Sequence, residues 1–124
     1  MKIKVSEATN NQLNWMVAAC EHKALRHKYG SPTFDPKTKR VYETEGLRQI
    51  GVNFAPTTDW SQGGPIIERE GVGIWPPDDT HPYWSAGKEG LTQATFGPTP
   101  LIAGLRCVVM SELGEVVEVP DDLA

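Results

Sequence analysis

Residues 57–70 constrain this chain more than any other stretch. Thr57-Thr58-Asp59-Trp60-Ser61-Gln62-Gly63-Gly64-Pro65-Ile66-Ile67-Glu68-Arg69-Glu70 sets a large aromatic ring, several charged side chains and two adjacent glycines followed by proline within fourteen residues. Adjacent glycines belong where backbone turns sharply or approaches something closely. Asp59 suits a helix N-cap, and Gly63-Gly64-Pro65 is expected to interrupt the helix, which restarts at Pro65. Two readings of this broken element stand side by side. In the first it is a ligand-gripping loop. The amides around Gly63 and Gly64 face an anionic or carbonyl group, Trp60 stacks on a planar ring, Gln62 reads its edge and Arg69 pairs with phosphate or carboxylate. In the second it is architecture: a helix restart, Trp60 in the core and Arg69 bridging Glu68 or a nearby Asp. The spacing matches no phosphate-loop or dinucleotide fingerprint.

Two stronger helices flank it. Over 10–27, Leu13, Met16, Val17, Cys20 and Ala24 recur every three or four residues, the spacing of one apolar stripe. Thr9 and Gln12 have capping-box spacing, His22, Lys23, Arg26, His27 and Lys28 crowd the last turns, and Gly30 supplies the stop. Over 100–113, Thr99 is placed as N-cap and Pro100 as first helical residue, with Leu101, Ile102, Leu105, Val108, Val109 and Leu113 forming a broad apolar face that ends at Gly114. Gly104 weakens that helix by about 1 kcal/mol relative to Ala, so its presence predicts close approach of another element.

Between the helices, Val72–Trp75, Tyr83–Gly87 and Leu91–Phe96 read as three short strands separated by turn-rich segments. Residues 28–58 form a loop-rich excursion in which Val41-Tyr42 and Val52-Asn53-Phe54 either pair as a small ribbon or belong to one long loop. Residues 115–124 read as an acidic tail, extended or loosely held. The economical arrangement is one α+β domain over 1–124, with a small antiparallel three-stranded sheet and two to three helices packed against it, sandwich-like. At 124 residues the chain is long enough for one core.

Charge narrows the partners. A formal net charge of −4 argues against direct nucleic-acid binding, which needs clustered Lys and Arg. No apolar run approaches a membrane span, and the first residues lack the features of a signal peptide. Cys20 and Cys107 lie far apart, without metal spacing, as small buried hydrophobes in a cytoplasmic protein.

The aromatic residues lie mostly in the middle of the chain. Trp75, Trp84 and Phe96 on adjacent strands are expected to meet on one sheet face as core, the alternative being that two of the aromatics line a cleft for a base-like or peptide ligand, while Tyr83 and Trp84 must point to opposite faces. Asp78, Asp79 and His81 read as a solvated turn rather than a metal site, because no partner cluster accompanies them. No nucleophile elbow or bracketing carboxylate pair is visible, so neither enzymatic activity nor a cofactor or metal is expected.

Three segments carry a resemblance: Leu13-Asn14-Trp15-Met16-Val17-Ala18, the Asp-Trp-Ser-Gln-Gly-Gly-Pro block, and everything from Phe96 onward, including Gly97-Pro98-Thr99-Pro100 and Glu115-Val116-Val117-Glu118-Val119-Pro120. Together they resemble the NinX-like proteins of temperate bacteriophages, with 28–52 and 76–90 standing apart as insertions. The resemblance implies a small accessory protein acting in the infected bacterium, and implies no reaction or substrate. The reading that follows is a non-enzymatic binding module that captures a nucleotide-like host molecule to counter host defence. Its site would comprise Asp59, Trp60, Gln62, Gly63, Gly64, Arg69, Trp84 and Thr99. The alternative is a protein-interaction module that inhibits a host or phage protein through an exposed aromatic and acidic surface. A homo-oligomer with a shared pocket is compatible with either.

Overall fold

The computed structural model describes residues 1–24, 33–35, 40–45 and 48–123, with side chains described outside 22–53 and 122. The elements in chain order are β1 (Lys2–Lys4), a 3-10 turn (Val5–Glu7), α1 (Asn10–Ala24), β2 (Thr33–Asp35), β3 (Arg40–Glu45), β4 (Arg48–Asn53), α2 (Trp60–Arg69), β5 (Gly73–Trp75), β6 (Trp84–Gly87), β7 (Thr95–Gly97), α3 (Pro100–Leu113), β8 (Val116–Glu118) and a second 3-10 turn (Asp121–Leu123). The fold is α+β, as the sequence predicts.

α3 is the hub. Its apolar residues outnumber its polar ones so heavily that it must be covered on more than one side. The meander β5-β6-β7 packs along one side, and α1 and α2 pack on others. Leu13, Met16 and Val17 of α1 meet Leu101, Leu105, Val108 and Val109 of α3, with Ile66 and Ile67 of α2 closing the cluster. Both ends of α3 follow from local sequence. The Thr99 hydroxyl accepts from the Ile102 amide at 3.2 Å, and Gly114 ends the helix at φ +91°. α1 opens on a reciprocal capping box: the Thr9 amide donates to Gln12 Oε1 at 2.9 Å, and the Gln12 amide to Thr9 Oγ1 at 3.3 Å. The expected extension of α1 to residue 27, and the Gly30 stop, lie outside the described residues.

Three expectations need correction. The Gly63-Gly64-Pro65 run does not interrupt α2, which is continuous from Trp60 to Arg69 with Pro65 inside it. A residue before proline is pushed out of helical conformation by contact between the proline ring and its own Cβ. Gly64 has no Cβ, so the helix passes through at the cost of the hydrogen bond that residue 65 cannot donate.

Most of the aromatic rings lie outside the core. Trp75, Tyr83 and Phe96 are 57%, 56% and 44% exposed, and Trp60 is 56% exposed. Registers Trp75↔Ser85 and Ser85↔Phe96 put Trp75 and Phe96 on the solvent face of the meander, with Trp84 on the opposite face beside Ala86. Beside Gly97 the inner face has no room for a side chain. A Cβ on Gly97 would lie 2.7 Å from the Ala103 amide nitrogen in α3, so backbone meets backbone there. The core is mainly aliphatic, with Phe54 its one buried aromatic ring among the described residues.

The acidic ending is not a loose tail. β8 pairs antiparallel with β1, Ile3 opposite Val117, and Val117, Val119 and Leu123 are buried. The Gln12 side chain donates to the Leu123 carbonyl at 3.0 Å, tying the second 3-10 turn to α1.

Other expectations hold. The meander pairs β5, β6 and β7 in sequence order, though β6 starts at Trp84 and β7 at Thr95. Tyr42 pairs with Asn53 in the β3–β4 ribbon, to which β2 adds a third strand. A Cβ on Gly104 would stand 2.8 Å from Ile67 Cδ1 and 3.1 Å from Ile74 Cδ1, the close approach its presence in a helix predicts.

Candidate functional site

Among the residues singled out by sequence, Asp59, Gln62, Gly63 and Arg69 have polar groups engaged within the fold. Asp59 Oδ1 accepts from the Ser61 amide at 2.9 Å and the Ser61 hydroxyl at 2.6 Å, which makes Asp59 the N-cap. The Gly63 amide donates to the Asp59 carbonyl at 2.9 Å, an ordinary helical bond. Gln62 Oε1 accepts from the Ala55 amide at 2.6 Å, holding the preceding turn. Gly63 is present because a Cβ there would run into the Pro56 carbonyl oxygen and stand 2.8 Å from Leu101 Cδ2. Gly64 lies beneath the Trp60 ring.

Arg69 reaches back to α1. Its Nη2 and Nη1 donate to the two carboxylate oxygens of Glu21 at 2.6 and 3.0 Å, and Nε donates to Glu70 at 3.4 Å. Hydrogen bonding to Glu21 raises the Arg69 pKa further above its ordinary value and holds the guanidinium as a cation. The partner differs from the Glu68 or Asp considered from sequence, because α1 and α2 lie side by side only in the fold. Trp84 packs over Ala86, Ala103 and Cys107, and Thr99 caps α3. Five of the eight residues thus share the start of α2, while Arg69, Trp84 and Thr99 are directed elsewhere.

Two open cavities of about 510 Å³ each lie along the meander, and none of the eight residues lines either. The first runs along β7 from Gln93 to Pro98. Lys4 and Ser6 stand on its other side with Glu115 and Val116, and Arg106 and Met110 of α3 also line it. Arg106 is its distinctive group. Nη1 donates to the Phe96 carbonyl at 2.8 Å and Nη2 to the Ala8 carbonyl at 3.2 Å, while Nε is buried without a partner. No carboxylate pairs with this guanidinium among the described residues. Burial lowers its pKa from the ordinary arginine value, the direction expected when a cation loses water without gaining an anion. Exposed Phe96 and Tyr83 share the cavity wall, and the His81 ring is parallel to Phe96 within 2°, with centroids 6.4 Å apart.

The sequence reading did not single out Arg106, although a signal was there. It is the one charged residue from Pro100 to Ser111, in a helix otherwise apolar enough to be buried. A charge kept in such a helix has either a buried partner or a task.

Elsewhere the chemistry is quiet. Burial raises the Cys107 thiol pKa, which keeps it protonated. Asp78 accepts from the Thr80 hydroxyl at 2.8 Å, the Thr80 amide at 2.9 Å and the His81 amide at 2.8 Å, so its carboxylate serves the turn and its pKa is lowered, chiefly by Thr80. No group of three His, Cys, Asp or Glu residues stands in a metal-holding arrangement among the described residues, and no described helix is long and apolar enough to cross a membrane.

No curated protein matches the sequence. A family model does, from residue 4 to residue 112. That span includes the excursion and the turn-rich stretch at 76–90, and leaves out the ending from Glu115, which the resemblance had included. With most of its length matched, the chain belongs to the family described as Bacteriophage P22, NinX.

Proposed function

We propose that this phage protein is a non-enzymatic binding protein that captures a small nucleotide-like anion in the groove beside β7. It acts in the host cytoplasm, where removing such a molecule would blunt a nucleotide-signalled defence. One observation carries the reading: the Arg106 guanidinium is partly desolvated in a cavity and has no carboxylate partner among the described residues. An anion placed there replaces the lost hydration, and the planar fork suits phosphate or carboxylate. Phe96 and Tyr83 supply ring faces for a planar group, and about 510 Å³ is ordinary for a small-ligand site. The site therefore moves from the start of α2 to the groove.

Titration calorimetry of the protein with AMP and the other 5′-mononucleotides tests this. Arg106→Gln removes the charge while keeping a polar side chain, and should weaken binding about 10- to 100-fold, as for loss of a hydrogen bond to a charged group. Absence of binding at millimolar concentration, or equal binding by the variant, rejects the reading.

The protein-interaction reading draws on a separate observation, the exposure of Trp60, Trp75, Tyr83 and Phe96. Its signature is a stoichiometric protein partner lost by Trp60→Ala or Trp75→Ala and retained by Arg106→Gln.

A further inference from the structure

We infer that the groove takes a dinucleotide: two nucleosides joined through one phosphodiester, one base against Phe96 and the other against Trp75. This rests on the nucleotide reading above and specifies its ligand.

The two cavities are neighbours. Gln93 and Ala94, at the entrance to β7, line both, so the two cavities adjoin there. Each half repeats the same pair of features, an exposed aromatic ring and a cation. The first has Phe96 with Arg106 and Lys4; the second has Trp75 with Lys88.

Trp75 is held as a platform. Gly73 and Gly87 face each other across β5 and β6, and the indole folds back over both. A Cβ on Gly73 would lie 3.0 Å from Trp75 Cη2, and one on Gly87 would lie 3.8 Å from Cζ3. The two glycines let the ring rest against bare backbone, while more than half of the residue remains open to solvent. Trp75 and Phe96 share the outer face of the meander two strands apart, with only Ser85 between them in register. Two strand spacings place their Cα atoms about 10 Å apart. Two bases splayed on either side of a phosphate can reach both rings; one base cannot.

Charge agrees with a single bridging phosphate. Lys4, Lys88 and Arg106 line the combined groove with Glu89 and Glu115, leaving one positive charge in excess. One phosphodiester carries one negative charge. A nucleoside triphosphate would bring several.

The test compares the dinucleoside monophosphate ApA with AMP by titration calorimetry. Wild type, Trp75→Ala, Trp75→Phe and Arg106→Gln are measured, each first shown by thermal melt to be folded. Wild type should bind ApA about 5- to 150-fold more tightly than AMP, the contribution of one additional stacked base. Trp75→Ala should abolish that preference while leaving AMP affinity unchanged, and Trp75→Phe should retain most of it. Arg106→Gln should weaken both ligands. If AMP binds as tightly as ApA, or Trp75→Ala leaves the preference intact, the dinucleotide inference is overturned while the nucleotide reading stands. If neither ligand binds, both fall.

Discussion

The Gly63-Gly64 pair offers a stringent test, because the two neighbours are glycine for different reasons. Gly63 sits where a Cβ would enter the Pro56 carbonyl oxygen and stand 2.8 Å from Leu101 Cδ2; at Gly64 the nearest atom is Trp60 Cε3, at an ordinary 3.5 Å. What restricts Gly64 is the proline that follows it. Replacing Pro65 by Ala removes that restriction, so Gly63→Ala and Gly64→Ala are compared in a Pro65→Ala background. Each alanine then gains about 1 kcal/mol of helix propensity, and this gain cancels in the comparison. What remains is the contact at residue 63. The Pro56 backbone cannot simply retreat, since the adjoining turn is held by Thr57 N donating to Asn14 Oδ1 at 3.1 Å and Asp59 N donating to the Ala55 carbonyl at 3.0 Å. Forced overpacking of this kind costs about 1–3 kcal/mol. The Gly63→Ala protein should be the less stable by that amount. With a urea slope of about 2 kcal/mol per molar, a 2 kcal/mol difference displaces the midpoint by about 1 M. Urea unfolding followed by circular dichroism reads it directly. Equal midpoints would refute the packing argument and return Gly63 to the role of a conformationally free loop residue.

Two further outcomes follow from the ion pairs. Arg69→Ala and Glu21→Ala should show a coupling of about 0.5–1 kcal/mol in a double-mutant cycle, modest because the arginine is half exposed, and Arg69→Ala should leave AMP affinity unchanged; a loss of affinity would bring the site back to α2. The Met1 ammonium donates to Asp121 at 2.9 Å and to the Val119 carbonyl at 2.7 Å, with Glu118 3.0 Å away, and its pKa is raised above the ordinary 8.0, chiefly by Asp121. A raised amine pKa contributes stability that is present below pH 8 and lost as pH rises through the folded value. Stability should therefore fall on the alkaline side, and Asp121→Asn should flatten that fall in a series of urea melts between pH 7 and pH 10.

Much of the fold was legible because its signals are local. A capping box at Thr9 and Gln12, a Thr-Pro start at 99 and 100, and three-to-four-residue apolar spacing each act within a few residues of where they are read, and α1 and α3 begin where these signals say. The glycine at 104 was legible for a similar reason: a residue unfavourable to a helix implies a neighbour, though not which one. Ile67 and Ile74 supply the answer only in the fold. The candidate site was far less legible. Chemistry-bearing residues clustered in sequence at 59–70 turn out to cap, pack and pair within the helix bundle. The groove instead draws Lys4, Phe96, Arg106 and Glu115 from segments at opposite ends of the chain.

The sequence by itself determined the class of the protein, its two principal helices, the meander and its phage family, because periodicity, caps and turns are properties of neighbouring residues. Tertiary structure decided which faces were buried. The approach of α3 to β7 is close enough to exclude a Cβ at Gly97, and the register of the meander put Trp84 on the inner face and Trp75 and Phe96 in solvent. It also decided which charges were neutralised. Arg69 met Glu21 because α1 and α2 pack together, whereas Arg106 was carried under the β7 edge, where two carbonyls receive its hydrogen bonds and no carboxylate among the described residues answers its charge. Burial and charge balance depend on what distant segments bring alongside a side chain, and a linear pattern does not contain that information.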